Sequence, residues 1–538
     1  MPAAAGGPVT EASPPVKVGR AVWLSAATMA SRVLGLLRDQ IFAFLIGANR
    51  YSDAFVIAFR IPNLLRDLFA EGALSSAFVP TFADAHRNRG AEAAFRLANT
   101  VVALILVVVG VLTLLGLFFA DGVVAVIAPG FAPAQAQLAA FLTRIMMPFL
   151  LLVSLAAAVM GMLNAQSRFT APALAPALFN VAAILVGLGM FLAGLPPERA
   201  VVGWSIGTLA GGALQLAAQL PSLRATGFRL RLRLGRADLA DPGIARIFRL
   251  MAAAVIGLSA TQVNIVVNSM FATHEPAAAT WLQNAFRLMQ LPLGVFGVAI
   301  ATVAGAGVAQ RAAARDMASV KQTIGSALRL VAFLNVPSAV GLIVLSRPII
   351  SLLFEHGRFG AADTDATAHA LAFYAVGLYA YSGVKVFAPA FYALDLARVA
   401  VWGSVLGMIS NVALNVALYP VLGYRGVALG TSLAAGANFG VLAWAWRRRY
   451  GGLGGAGVLR QLGKVLLAAL CLAIVAWAAE RGLVRLLPPG KTLGRQLALA
   501  FGPIAAGGLA YLAAARALGV RELDELVSAV RRRRARAG

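Results

Sequence analysis

Cysteine is almost absent from this chain, and charge is scarce. The single Cys471 lies in an apolar run, which excludes an intramolecular disulfide and a Cys-based metal site. The four histidines, His86, His274, His356 and His369, are scattered without metal-ligand spacing, so no metal centre and no resident cofactor is expected. Only 12% of the 538 residues are charged, against about 25% in soluble domains. Acids are the scarcer sign, 21 Asp and Glu against 46 Lys and Arg. No long polar stretch leaves room for a large soluble domain. The opening MPAAAGGPVTEASPPVKVG lacks a short apolar core with a cleavage site, so residues 1–19 are expected to be a disordered cytoplasmic tail.

What remains is apolar. Hydrophobic residues make up 60% of the chain, and mean hydropathy is +0.81. Runs of about 20 apolar residues, enough to cross a bilayer as a helix, recur along the sequence. They predict fourteen spans, at 20–46, 53–83, 95–120, 137–163, 171–195, 200–222, 246–272, 278–309, 323–345, 365–392, 399–418, 425–447, 462–480 and 494–516. Alternate loops are rich in Arg and Lys, as in AHRNRGAEAAFR after the second span and LRATGFRLRLRLGRADL after the sixth. Positive-inside bias then puts both termini in the cytoplasm, as an even span count requires. The same placement accounts for the net charge of +25 through anionic lipid headgroups, with no need of nucleic acid.

The fold class expected is an all-α polytopic membrane protein with a faint internal repeat. DAFVIAFRIPNLL around Arg60 aligns with ATWLQNAFRLMQLPL around Arg287, and FNVAAILVG in span five resembles LNVALYPVLG in span eleven. Both copies are six spans apart, an even offset, so the repeats run parallel about an axis along the membrane normal. The expected organisation is a lobe over 20–222 (spans one to six), a basic cytoplasmic loop over 223–245, and a second lobe over 246–447 (spans seven to twelve). Two further helices over 448–516 and a basic tail over 517–538 complete it.

Within this apolar frame the charges of the first, second and eighth spans stand out: Arg32, Arg38, Asp39, Asp53, Arg60, Arg66, Asp67, Glu71 and Arg287. A central Arg or Asp costs about 2.5–3.5 kcal/mol to insert, so half a dozen facing lipid would cost well over about 10 kcal/mol. They must face protein or a water-filled cavity. Arg60, Asp67 and Glu71 are spaced to share one helix face and account for one another either as a structural ion-pair network or as part of a site. Arg32, Arg38, Arg66 and Arg287 outnumber the carboxylates left to them. A surplus of buried guanidinium calls for an anion that comes and goes, and the planar fork of Arg suits phosphate oxygens. Gly35 and Pro62 mark expected breaks in the two helices, tolerated where a helix lines a cavity.

The run SRVLGLLRDQIFAFLIGA, continued by SDAFVIAFRIPNLLRDLFAEGALSSAFVP, resembles the N-terminal signature of the MurJ (MviN) lipid II flippases. APGF at 128–131, NAQSRFTAPALAPALFN at 164–180, FRLMQLPLGVFGVA at 286–299, LLFEHGRF at 352–359 and VKVFAPAFYALD at 384–395 extend the resemblance over nearly the whole chain. It implies a fourteen-helix member of the MOP exporter superfamily. Such a protein carries undecaprenyl-diphosphate-linked peptidoglycan precursor from the inner to the outer leaflet of the bacterial inner membrane. The family's essential arginines fall on Arg32, Arg38, Arg66 and Arg287, and its acidic positions on Asp39, Asp53 and Glu71, expected to pair with the arginines when the site is empty and to help close the outer gate. The resemblance also implies that the last two helices hold the lipid tail. Membrane potential or a monovalent-cation gradient is the expected energy source, and a monomer working beside the cell-wall synthesis machinery the expected state.

This sequence also departs from the family pattern. Phe286 and Gln290 flank Arg287 where acids are common in the family, and LDLARVAVW lacks a proline often found there. Where some members hold sodium, this chain offers Asn264, Asn268, Asn411, Asn415 and Thr431 with no carboxylate: a weak cation site, or interhelical hydrogen bonds worth about 0.6 kcal/mol each. Two other functions are weighed. An exporter of O-antigen, exopolysaccharide or cationic drugs would share the fold, but a cation exporter would want acidic cavity residues. A membrane glycan polymerase would need catalytic carboxylates or a metal in a sizeable outer loop, and FEHGRFGAADTDATAH has no catalytic spacing.

Overall fold

The computed structural model of the chain describes residues 18–453, 456–526 and 528, so most of the two expected tails lies outside the described residues. The N-terminal helices are α1 (Val18–Ile46), α2 (Arg50–Leu65), α3 (Ser75–Asn88), α4 (Gly90–Phe118), α5 (Ala120–Ile127), α6 (Pro133–Met146), α7 (Pro148–Ala165), α8 (Thr170–Leu192) and α9 (Pro197–Ala217). Short α10 (Leu220–Arg224) and α11 (Arg236–Leu239) lead into the C-terminal set. This comprises α12 (Pro242–Ala272), α13 (Ala278–Pro292), α14 (Ala299–Ala313), α15 (Met317–Val344), α16 (Ser346–Phe354), α17 (Ala361–Ala375), α18 (Leu378–Ala393), α19 (Ala397–Leu422) and α20 (Tyr424–Tyr450). Last come α21 (Ala456–Leu486) and α22 (Leu493–Ala517), which pack on each other and, through α21, on α15.

Every described residue in regular secondary structure is helical. Among the described residues ten helical stretches are long and apolar enough to cross a membrane, eleven if α17 and α18, bent by 42° at their junction, form one span. The other three expected spans are α1, α2 with α3, and α12. The first two carry the charges singled out above, and α12 carries Arg246 and Arg249 in its first turns and Asn264, Asn268 and Ser269 in its second half. Three segments expected to be loop are short helices: α11 lies inside the basic loop, and α5 and α16 continue the apolar pattern past α4 and α15 through DGVVAVI and SRPIISLLF.

Proline shapes the second and eighth spans. Pro62 lies in the last turn of α2 and Pro292 ends α13, and each is followed by a π-helical segment, Arg66–Leu74 and Leu293–Val298. A proline supplies no amide hydrogen and crowds the preceding turn, and the wider π turn accommodates the displaced carbonyls. α12 crosses between the two sets of helices, packing on the first π segment and α3 on one side and on α19 and α20 on the other. One continuous core joins residues of both sets, Ile57, Phe78 and Met146 with Leu282, Met289 and Phe359.

Candidate anion site between the two helix sets

The site is built on α1. Arg38 Nε and Nη2 donate to Asp39 Oδ1 at 3.2 and 2.9 Å, and Arg38 Nη1 donates to Asn180 Oδ1 on α8 at 3.1 Å. Its guanidinium lies 5.5 Å over the Phe179 ring. From the C-terminal set, Arg287 on α13 donates Nη1 to the other oxygen of Asp39. One carboxylate thus serves two guanidinium groups from opposite sides of the molecule. It can accept from both, but it neutralises only one. Both arginines and Asp39 line a small cavity between the helix sets, with Gln283 and Asn284 as further polar wall and Phe42, Phe55, Phe59 and Trp204 as aromatic wall.

Arg32 stands one and a half turns before Arg38. It is exposed, has no hydrogen bond or ion pair among the described residues, and its guanidinium lies beside Gly294 in the second π segment, where a Cβ would sit 3.5 Å from Nη1. Arg66 opens the first π segment and pairs with its neighbour Asp67, Nη2 to Oδ1, at 3.0 Å. The seven-residue spacing that put Asp67 on the face of Arg60 assumes an unbroken α-helix, and the π turn at Arg66 ends that register. The Arg60–Asp67 pair is therefore absent: Arg60 donates to Ser269 Oγ on α12 and to Gln283 Oε1 on α13, at 3.4 Å for the latter. The side chain of Glu71 lies outside the described residues.

Asp53 has a different partner from the arginine expected. It is fully buried, and Thr280 of α13 donates both its backbone N and its Oγ1 to Asp53 Oδ1, at 2.9 and 2.6 Å. This contact belongs to a seam that seals one end of the cavity. Gly130, in the loop after α5, abuts the end of α12 so closely that a Cβ would lie 2.6 Å from His274 N. Gly357, in the loop after α16, abuts the end of α1: a Cβ there would lie 2.5 Å from Phe44 O, while one on Gly47 would lie 2.7 Å from Arg358 O. Arg358 N donates to Phe44 O at 3.1 Å. At the opposite end the two sets meet through exposed ion pairs, Arg89 with Asp241 at 3.0 Å and Arg246 with Asp84 at 3.4 Å.

Four of the five polar residues in the C-terminal set bind one another. Asn268 Nδ2 and Asn411 Nδ2 both donate to Thr431 Oγ1 (3.0 and 3.3 Å), and Asn415 Nδ2 donates to Asn268 Oδ1 (2.7 Å). The buried amide oxygens of Asn264 and Asn415 are left without donors. Two neutral oxygens do not make the roughly six-oxygen shell of a hard cation, so these residues fit an interhelical clamp of α12, α19 and α20 rather than a cation site.

Some site residues escaped the sequence reading. Asn180, Ser269, Thr280 and Gln283 are neutral, and only the rarity of amides and hydroxyls in apolar runs marked them. Gly130 and Gly357 lay in plain view in APGF and EHGRF, but a glycine's role there rests on which backbone it meets.

The architecture defines the class first: a polytopic helical membrane protein with two helix sets around a central cavity. A solved inward-facing multidrug resistance MATE family transporter of the MOP superfamily shares the fold, with a TM-score of 0.66 at 18% identity, covering 80% of this chain and 98% of that one. Within that class the chain belongs to the MurJ lipid II flippase family, whose family model, described as lipid II flippase MurJ, matches residues 42–487. The probable lipid II flippase MurJ of Vibrio cholerae is 34% identical over 435 residues, 78% of this chain and 81% of that protein. That of Rhizobium meliloti is 33% identical over 522 residues, 95% of each. A solved lipid II flippase MurJ in an inward closed conformation is 26% identical with a TM-score of 0.75, covering 92% of this chain and 98% of that one. The family match begins after Arg32, Arg38 and Asp39, so their place in the site rests on the geometry above.

Proposed function

We infer that this membrane flippase carries lipid II across the bilayer by alternating access, with Arg32, Arg38, Arg66 and Arg287 gripping the diphosphate and adjoining headgroup. The observation that carries this reading is the sharing of Asp39 between Arg38 and Arg287. The incoming diphosphate takes over the role of that carboxylate, supplying the second negative charge that the empty site lacks. A ligand shifts a conformational equilibrium only by its differential affinity for the two states, and a site closing from both helix sets supplies that difference. Asp39 regains both partners on release. Asp53 acts through Thr280 in the outer seal, and Glu71 remains the candidate acid of the first π segment.

The finer architecture we propose is fourteen spans with both termini in the cytoplasm of the inner membrane. Residues 20–222 and 246–447 form parallel lobes, and spans thirteen and fourteen form the groove for the prenyl tail. The register that aligns Arg60 with Arg287 also aligns the first residues of the two π segments, Arg66 and Leu293, and the two docking glycines, Gly130 and Gly357. Asn180 ties span five to Ser31 of span one, and its repeat counterpart Asn415 ties span eleven to Asn268 of span seven. These coincidences support the parallel repeat. The glycine seam then lies at the periplasmic end and the exposed ion pairs at the cytoplasmic end.

For the energy source we propose the membrane potential acting on the surplus cationic charge, about 2.3 kcal/mol per charge per 100 mV. The clamp of asparagines argues against a sodium gradient. The protein is proposed to work as a monomer beside the cell-wall synthesis machinery. Depletion of the protein in its own host tests the substrate: lipid II should accumulate in the inner leaflet. Accumulation of another lipid-linked glycan, with lipid II evenly distributed, would keep the fold and the anion site but overturn the substrate.

A further inference from the structure

Segment 228–235, FRLRLRLG, joins the two helix sets without helix or sheet pairing of its own. Its backbone is pinned at one point. Asn99 of α4 donates Nδ2 to Arg229 O at 3.1 Å and accepts from Arg231 N at 2.7 Å, as a neighbouring strand would, and Phe228 is buried with its ring 5.5 Å from that of Phe95. Beyond this anchor the side chains alternate. Leu230, Leu232 and Leu234 are 61, 60 and 46% exposed, and Arg229, Arg231 and Arg233 fall between them. From Arg224 to Arg236 the segment holds five arginines and no acid.

The anchor fixes the depth. From Asn99 to Phe118, α4 carries no charged residue and is about 30 Å long at 1.5 Å per residue, the thickness of a bilayer's hydrocarbon core. The turns before Asn99 hold Glu92 and Arg96. Asn99 therefore marks the boundary between hydrocarbon and headgroups, and the segment it holds lies in that plane. Half-paired backbone is unstable in hydrocarbon but tolerated at headgroup level, and alternating apolar and basic side chains suit a surface that is apolar below and anionic above. We propose that residues 229–234 form an interfacial strap that binds the anionic lipid leaflet, Leu230, Leu232 and Leu234 immersed at the acyl boundary, Arg229 and Arg231 on lipid phosphates, and Arg233, which lies 3.8 Å from Asp238, shared between that carboxylate and a phosphate. It moors to the membrane the linker that joins the two helix sets.

Nitroxide scanning of residues 229–234 in the full-length protein, with Cys471→Ser to remove the native thiol, tests this in nanodiscs. Discs of phosphatidylcholine alone are compared with discs containing phosphatidylglycerol. The strap predicts a two-residue alternation, with labels at 230, 232 and 234 more accessible to oxygen than to a nickel chelate and those at 229, 231 and 233 the reverse. It also predicts deeper labels with phosphatidylglycerol, a dependence removed by the Arg229→Gln, Arg231→Gln, Arg233→Gln triple variant labelled at 232. Uniform access to the nickel chelate would put the segment in water and overturn the proposal. Leucine-site labels shielded from both reagents would mean a second copy covers it, and indifference to phosphatidylglycerol would remove the anionic-lipid reading.

Discussion

Gly47 and Gly357 lie on two segments that meet backbone to backbone, Gly47 at the end of α1 against Arg358 and Gly357 beyond α16 against Phe44, both at positive φ (77° and 59°). Each leaves room only for a carbonyl of the facing segment, Arg358 O at Gly47 and Phe44 O at Gly357, and Arg358 N donates to Phe44 O across the contact. With Gly130 against His274 and the buried Asp53 under Thr280, this makes a close-packed backbone seam. The opposite end is held by ion pairs open to solvent. Exposed pairs contribute about 0–1 kcal/mol each, so the sealed end is the harder to open.

Substitution at the seal should release it. Gly357→Ala and Gly47→Ala each place a Cβ on a backbone oxygen at a φ that costs an L-residue about 1–2 kcal/mol. A bias of 1–3 kcal/mol corresponds to about 5- to 150-fold in a conformational equilibrium. Electron-electron distance measurements between spin labels on α1 and α16 should show the open form of this end enriched, with transport reduced.

The ion pairs at the other end should matter little. The double variant Arg89→Gln, Arg246→Gln removes both, and lipid II transport is expected to stay within about twofold of wild type. A loss comparable to that at the glycines would contradict the asymmetry between the two ends.

Asp39→Asn separates binding from turnover. It leaves Arg38 and Arg287 facing each other without their shared carboxylate; at 17 and 37% side-chain exposure the cost falls below the about 3–5 kcal/mol of a fully buried uncompensated charge. The empty protein should melt lower in detergent, regain stability with pyrophosphate, and bind the anion more tightly than wild type. Transport should fall because nothing displaces the ligand. Arg287→Lys should keep the charge yet fail to restore transport, since the ammonium lacks the bidentate fork.

One pH dependence lies outside the membrane. Burial would push the Glu355 carboxyl up, but the hydrogen bonds from Lys491, Ser351 and Thr364 outweigh it and hold the carboxyl below its usual range. A depressed carboxylate stabilises the folded state fully above its unfolded value, about 4.3, and loses that contribution as pH falls through the folded value. Lys491→Gln should therefore lower the melting temperature at pH 7, by up to about 1 kcal/mol of stability, with the difference closing below about pH 4.

The membrane helices were legible because apolar length reports the bilayer directly, and each expected span falls on helix with ends shifted by up to about six residues. The cationic surplus was legible for the same reason, since charge in hydrocarbon needs an explanation. Pairings were less so. Arg60 and Asp67 are spaced as partners on an α-helical face, but the break expected at Pro62 takes the form of a π segment from Arg66, which separates them. Asp53 looked like a partner for arginine, and a threonine from the other helix set reached it first. Contacts between distant segments, such as Gly357 on Phe44, depend on how the helix sets dock and leave only a bare glycine in the sequence.

The most direct test of the account is inner-leaflet lipid II in host cells whose only copy of the protein carries Arg287→Ala, at wild-type membrane abundance. The account predicts that lipid II accumulates there and the cells lyse, as on depletion. Normal lipid II distribution and growth in those cells would contradict the claim that the guanidinium pair around Asp39 grips the diphosphate.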